Sequence, residues 1–212
     1  MHLTADYSEI VTHYEACLAR HGDTHRGVDW PNELDAKTRY RVMLEVIRET
    51  PTPLQPITLL DFGCGAGHLL AHLRAEQQSN VRYMGLDMSP KFVDLCRDKF
   101  PDAEFLCGDI LQGDVEIPQV DYVVMNGVFT EKRSLPFEVM FDYFRQVLRR
   151  VYPLARRGLA FNVMSKHVDW ERDDLFHLPF DSLATFLRRE ISRHYQFRAD
   201  YGLFEYTAYV YR

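Results

Sequence analysis

The densest chemical signal in the chain is the run Leu59-Leu60-Asp61-Phe62-Gly63-Cys64-Gly65-Ala66-Gly67-His68-Leu69-Leu70. An apolar strand runs into Asp61, glycines follow at alternate positions 63, 65 and 67, and an apolar helix begins at once. A chain that passes from strand to helix in so few residues needs backbone angles closed to residues with a β-carbon. The missing side chains also let a ligand lie on the loop, beside the positive end of the helix. The dinucleotide fingerprint places its third glycine one step later, where this chain has His68. Two more acids end the next two apolar runs: Asp87, twenty residues after Gly67, and Asp109 in Gly108-Asp109-Ile110. In doubly wound nucleotide binders an acid at the first of these places bonds ribose hydroxyls, and Asp109 would lie beside an adenine in the crevice outside the strand ends. Three acids at successive strand ends repel phosphate and suit a cation. No Lys or Arg lies between 61 and 73 to neutralise a pyrophosphate.

Other candidates are less sharply marked. His68 and His72 stand four apart and share a helix face, but no spacing supplies further ligands, so no metal is expected. His167, Asp169 and Trp170 follow the fifth apolar run, in a loop that this architecture lays over the strand ends. There His167 is either a base for an incoming hydroxyl or amine, or a plain exposed loop histidine. Trp30, Tyr7 and Tyr14 precede the sheet, as packing residues or as rings that press on a cation. The loop 21–32, holding Asp29 and Trp30, is the expected lid over the site. Ser89 competes with Asp87 for the cap of the helix opened by Pro90, which leaves Asp87 free for a ligand. Asn126, Phe129, His167 and the C-terminal tyrosines are the first residues to mutate in search of acceptor contacts.

Positioning these groups falls to a recognisable series of elements. ITLLDF (57–62), VRYMGLD (81–87), AEFLCGD (103–109), VDYVVMN (120–126) and GLAFNVM (158–164) are apolar without strict alternation, the pattern of strands buried on both faces of a parallel sheet. Helices fit between them at about 67–77, 90–99 and 135–152, and this rhythm predicts an α/β, doubly wound sheet. Two helices come first. One covers roughly 6–20, with Thr4 or Asp6 as its cap; the other covers 33–49, with Leu34, Met43, Leu44 and Ile47 facing inward. Near the end, 182–195 reads as a helix with Leu183, Phe186, Leu187 and Ile191 on one stripe, and 196–212 as a closing hairpin at a sheet edge. The expected organisation is a single domain over 1–212. Its N-terminal cover spans 1–50, and its Rossmann-like core spans 57–212 with a substrate-side loop and helix at 165–195.

The chain of 212 residues carries 25 Lys+Arg against 31 Asp+Glu, a net charge of −6 that argues against a protein working by neutralising nucleic-acid phosphates. No run of about 18 apolar residues is present, so no membrane span is expected. The first residues lack the apolar stretch of a secretory signal. Cys17, Cys64, Cys96 and Cys107 show no CxxC spacing, which points to a reducing cytoplasm.

The run Asp61–Gly67, with Asp87 and Gly108-Asp109-Ile110, resembles the class I S-adenosylmethionine-dependent methyltransferases, over about residues 57–165. The resemblance implies a Rossmann-like, mostly parallel sheet with an antiparallel C-terminal strand, and S-adenosylmethionine as cofactor. It implies that the glycine loop meets the methionine moiety, Asp87 binds the ribose and Met88 lies against the adenine. Asp109 with Ile110 would touch the adenine's amino edge, and Asn126 would line the cofactor site after the fourth strand. Asn126-Gly127 stands where enzymes acting on nucleobase or glutamine amino groups carry Asn-or-Asp-Pro-Pro-Tyr, so a small-molecule acceptor is expected. Three rivals stay open. A related enzyme could transfer or cyclise the cofactor's aminobutyrate arm and release methylthioadenosine. A nicotinamide dehydrogenase would want a glycine at His68, and a regulatory module would bind the cofactor without chemistry.

Overall fold

The computed structural model describes residues 7–212, so the capping candidates Thr4 and Asp6 lie outside the described residues. Seven strands form one sheet: β1 (Ile57–Phe62), β2 (Val81–Asp87), β3 (Glu104–Cys107), β4 (Val120–Phe129), β5 (Ala155–Met164), β6 (His194–Arg198) and β7 (Glu205–Tyr211). Their order is β3-β2-β1-β4-β5-β7-β6; the first five are mutually parallel and β7 runs antiparallel to both β5 and β6. The closing hairpin therefore reaches the edge with its first strand, while its second strand is inserted against β5. This is the doubly wound, mostly parallel arrangement read from the apolar runs.

Helices cover both faces, which is why the strands do not alternate. Leu59 and Leu60 are both fully buried, each in a different apolar cluster. On one face, α5 (Phe137–Val151) and α6 (Phe180–Phe186) pack Met140, Phe144, Leu148 and Leu183 against Leu60, Val123 and Phe161. On the other, α2 (Glu33–Leu44) and α3 (His68–Ala75) pack Tyr40, Met43, Leu69 and Leu73 against Leu59, Val124 and Ala160. A third cluster joins α4 (Pro90–Lys99) to β3 through Val93, Cys96, Phe100 and Phe105. Every residue of β7 is buried, Tyr206, Ala208 and Val210 toward one face and Tyr209 and Tyr211 toward the other.

Several expectations shift. Leu34 is 71% exposed rather than inward. At about 100° per residue it stands half a turn away from Met43, and the buried stripe is Ala36, Arg39, Tyr40 and Met43. The helix also stops at Leu44 instead of continuing to 49, because Val46 and Ile47 bond three residues back, to Met43 and Leu44, in a tightening turn. The 182–195 segment begins earlier, behind Pro179, widens into a π turn over Leu187–Ile191, and is already strand β6 at His194. Within the 21–32 loop, His25–Val28 forms a short 3-10 turn that follows α1 (Ser8–His21). Among the described residues no helix is long and apolar enough to cross a membrane.

Candidate active site

Between β1 and β4 the sheet's connections reverse direction, and a crevice opens beyond the strand ends at this switch point. The glycine loop forms its floor. Gly63, Gly65 and Gly67 have φ of +73°, +51° and +72°, a region that residues with a β-carbon rarely enter. The end of β2 holds the loop in place. The amides of Gly63 and Cys64 donate to the Leu86 carbonyl at 2.8 and 2.9 Å. The Gly65 amide donates to Asp87 Oδ2 at 2.9 Å, while Asp87 Oδ1 accepts from the Ser89 amide at 2.9 Å. Burial pushes the Asp87 carboxyl above its usual range, against the pull of those amides. Asp61 is 2% exposed and accepts from the Tyr83 hydroxyl at 2.7 Å. Its burial, opposed by that hydrogen bond and aided by the charge of Asp87, pushes it up to about 7.

The cleft above the loop holds about 1060 Å³ of empty space, part of it open to solvent. Asn126, Gly127 and Val128 form one wall, and the Asn126 Oδ1 atom is buried without a partner among the described residues. A buried acceptor left unmatched costs about 1–3 kcal/mol, which a ligand N–H would recover. The cover comes from α1, through Tyr7, Ile10 and Tyr14, and from the turn that carries Val28 and Trp30. The Tyr7 hydroxyl bonds Asp109 Oδ2, and the Tyr14 hydroxyl donates to the Gly127 carbonyl at 3.3 Å, so α1 is tied down across the crevice.

Trp30 lies directly on bare backbone. A β-carbon on Gly127, whose φ is +79°, would come 2.7 Å from the indole. Behind the ring, the Arg39 guanidinium stacks at 4.0 Å and pairs with buried Glu205 at 2.8 Å. Asn162 Nδ2 donates to Glu205 at 3.0 Å, and Asn162 Oδ1 accepts from the Gly127 amide at 2.7 Å. This buried polar chain runs from the cover, through the sheet, back to the wall of the cleft.

The structure brings together Asp61, Gly63, Gly65, Asp87, Met88, Asn126 and Trp30, all of which line the cleft. Gly67 stands just behind, as the N-cap of α3 against Phe100 and Cys96. Gly108 lines the cleft but Asp109 and Ile110 do not. The Asp109 carboxylate is occupied by Tyr7 and by the Leu111 amide at 2.8 Å. His167 is elsewhere: it is exposed, its ring stacks on Phe180 at 5.6 Å, and no described residue of 165–195 lines the cleft. Phe129 is core, and the hydroxyls of Tyr206 and Tyr209 are spent on the Leu178 and Val42 carbonyls. Ser89 is the N-cap residue of α4 but makes no side-chain cap bond: its hydroxyl donates to Glu15 at 2.7 Å, and its amide is held by Asp87. His68 lines the cleft with its Nε2 against Asp23 at 2.8 Å, and His72 sits beside the Tyr40 ring.

Two residues escaped the sequence reading. Asp61 pairs in register with Gly85, so Tyr83, two positions earlier on the same face of β2, can reach it; that signal needs the register first. Lys99 of α4 donates to the Ala66 carbonyl at 2.6 Å behind the loop, and its charge is matched by Asp23 at 2.8 Å.

A family model described as a methyltransferase domain matches residues 60–158. Over 161 residues the chain is 30% identical to a Mycobacterium tuberculosis protein named as a candidate methyltransferase, Rv1506c; the match covers 73% of this chain and 93% of that one. The solved structure of magnesium protoporphyrin IX methyltransferase from Synechocystis PCC 6803, with bound S-adenosylmethionine, is similar at a TM-score of 0.64 and 16% identity, covering 100% of both chains. Human N-acetylserotonin methyltransferase in complex with S-adenosylmethionine is similar at a TM-score of 0.60 and 14% identity, over 82% of this chain and 51% of that one. At such identities the structural likeness speaks for the fold.

Proposed function

The chain belongs to the class I S-adenosylmethionine-dependent methyltransferases, and from that premise we propose that it methylates an apolar small molecule held beneath α1 and Trp30. One observation carries the reading: the cleft is lined by two carboxylates, the buried Asp61 and the half-buried Asp87, with no Lys or Arg among the described lining residues. Such a site repels phosphates and favours a cation.

We assign the cofactor to Asp61, Gly63, Gly65, Gly67, Asp87, Met88, Asn126 and Trp30; Asp109 and Ile110 stay outside the lining, where Asp109 holds Tyr7 at the start of α1. When bound, S-adenosylmethionine supplies a methyl group on a sulfonium that departs as a neutral thioether. Asn126 offers its unmatched Oδ1 to an N–H of the ligand, fixing its orientation. Tyr14 and Trp30 close over the wall and exclude water. Holding two reactants in line is worth up to about 7–11 kcal/mol, and this positional role is the one the chain's residues support.

With Asp61 and Asp87 assigned to the cofactor, the other ionisable groups in the cleft support an acceptor that needs no general base. Burial pushes the hydroxyls of Tyr14, Tyr40 and Tyr143 well above their usual range. Burial lowers His68, and its ring nitrogen is occupied by Asp23. His167, outside the lining, receives no role. An acceptor whose lone pair is free at neutral pH without a base, such as an aromatic ring nitrogen, fits these walls. The porphyrin and N-acetylserotonin enzymes of similar fold are named for small-molecule acceptors, and the net charge of −6 points the same way. Four free cysteines support a reducing, cytoplasmic setting.

The test is product analysis after incubation with S-adenosylmethionine and pooled small-molecule acceptors. S-adenosylhomocysteine and a methylated acceptor support the proposal. Methylthioadenosine would move it to transfer of the aminobutyrate arm, and binding without turnover to a regulatory module.

A further inference from the structure

A second group of chemistry-bearing side chains lies beside the cleft, outside the residues that line it. His13 and Cys17 stand four apart on α1 and share a face. Asp29 closes the 3-10 turn that follows the helix. His13 Nε2 lies 2.8 Å from Asp29 Oδ2 and 3.8 Å from Cys17 Sγ, and the three donor atoms all fall within 4.8 Å of one another. Around a tetrahedral zinc ion, with bonds of about 2.0–2.3 Å, neighbouring donors stand roughly 3.3–3.8 Å apart. The nitrogen–sulfur spacing already matches, and the nitrogen–oxygen contact has to open by only about half an ångström.

We propose that His13, Cys17 and Asp29 bind one zinc-class divalent cation, with solvent at the fourth position, and that the cation clamps α1 to the turn carrying Trp30. The donor set selects the ion: an imidazole and a thiolate suit zinc, whereas magnesium and calcium take oxygen donors. A further carboxylate near the group, Glu131, is already held by Arg133 at 3.1 Å, which leaves Asp29 as the carboxylate of the site. Binding replaces the thiol proton with the metal and releases that proton to solvent. The clamp matters because the neighbours of these residues, Tyr14, Val28 and Trp30, form the cover of the cleft. The proposal does not depend on methyl transfer.

The reduced full chain, kept free of oxygen, is titrated with cobalt(II) as a spectroscopic stand-in and then with zinc. The expected result is one cobalt per chain with a thiolate-to-cobalt charge-transfer band that zinc abolishes. Cys17→Ser loses the band, and His13→Ala and Asp29→Asn fail to saturate at concentrations that fill the natural chain. Circular dichroism establishes that each variant is folded. Cys107→Ser, at the exposed cysteine, keeps the band. No band, a band that survives in folded Cys17→Ser, or equal cobalt affinity in the natural chain and all three variants overturns the proposal and leaves a plain ion pair beside a thiol.

Discussion

Asp61 is where charge and burial oppose each other most directly. Its carboxyl is pushed up to about 7 from an ordinary value of 3.8, so the folded chain holds a proton that the unfolded chain has already released. The stabilising contribution of that proton is complete below about pH 4 and is lost as pH rises through about 7. The ionised form faces the cation it is proposed to receive, so S-adenosylmethionine should bind more tightly from about pH 6 to about pH 8. In calorimetry Asp61→Asn should flatten that rise, and an unchanged rise would detach Asp61 from the cofactor. Asp87 holds the loop through Gly65 and meets the proposed ribose, so Asp87→Ala should weaken binding by at least about 1.5 kcal/mol. Equal titration curves for variant and natural chain would remove that role. At this scale the glycines and Asp87 were legible, because their torsions and placement at a strand end leave a local trace. Tyr83 was not, nor was the pairing of Tyr7 with Asp109, since each tyrosine meets its acid only once chain segments distant in sequence are brought together.

Among the elements, the glycine loop and the buried polar chain bear the site. Gly65→Val forces a β-branched side chain into φ of +51°, with Val28 of the cover only 3.2 Å from the new β-carbon. A left-handed residue of this kind costs at least about 1–2 kcal/mol. Binding should vanish while the far-ultraviolet dichroism of the sheet persists; normal binding would contradict the cradle. Glu205→Ala strands the Arg39 charge beneath Trp30 and frees the Asn162 amide, and removing one partner of a buried pair costs about 3–5 kcal/mol. Denaturant melts should show that loss, together with weaker cofactor binding, because the Gly127 wall loses its brace; a loss under about 1 kcal/mol would show the pair to be dispensable. The strands were legible as apolar runs and the helices as the gaps between them. The phase of α2 was not, because Leu34 looked like core until Tyr40 and Met43 set the buried face. Nor was the insertion of β7 before β6, which no local pattern encodes.

Across the whole molecule, the N-terminal segment is part of the fold as well as its cover. α2 buries Val42 and Met43 completely and supplies Arg39 to the polar chain, so 1–50 and 57–212 are proposed to fold as one unit. Deleting 1–50 should leave a chain without a cooperative thermal transition, whereas a sharp transition in the truncated chain would make the cover a separable appendage. The acceptor side shows the limit of sequence reading most clearly. A loop after the fifth strand is a reasonable place for a base, yet His167 stacks outward on Phe180 while α1 and the Trp30 turn take the position over the cleft. The central claim is that a positively charged adenosine cofactor occupies the crevice beyond β1, β2 and β4. Its most direct test is the crystal structure of the full chain grown with S-adenosylhomocysteine. The predicted result is the ribose at Asp87, the amino-acid arm over Gly63 and Gly65, and the amino group of that arm at Asn126. Density for the nucleoside anywhere else, or a cleft that stays empty at saturating ligand, would contradict it.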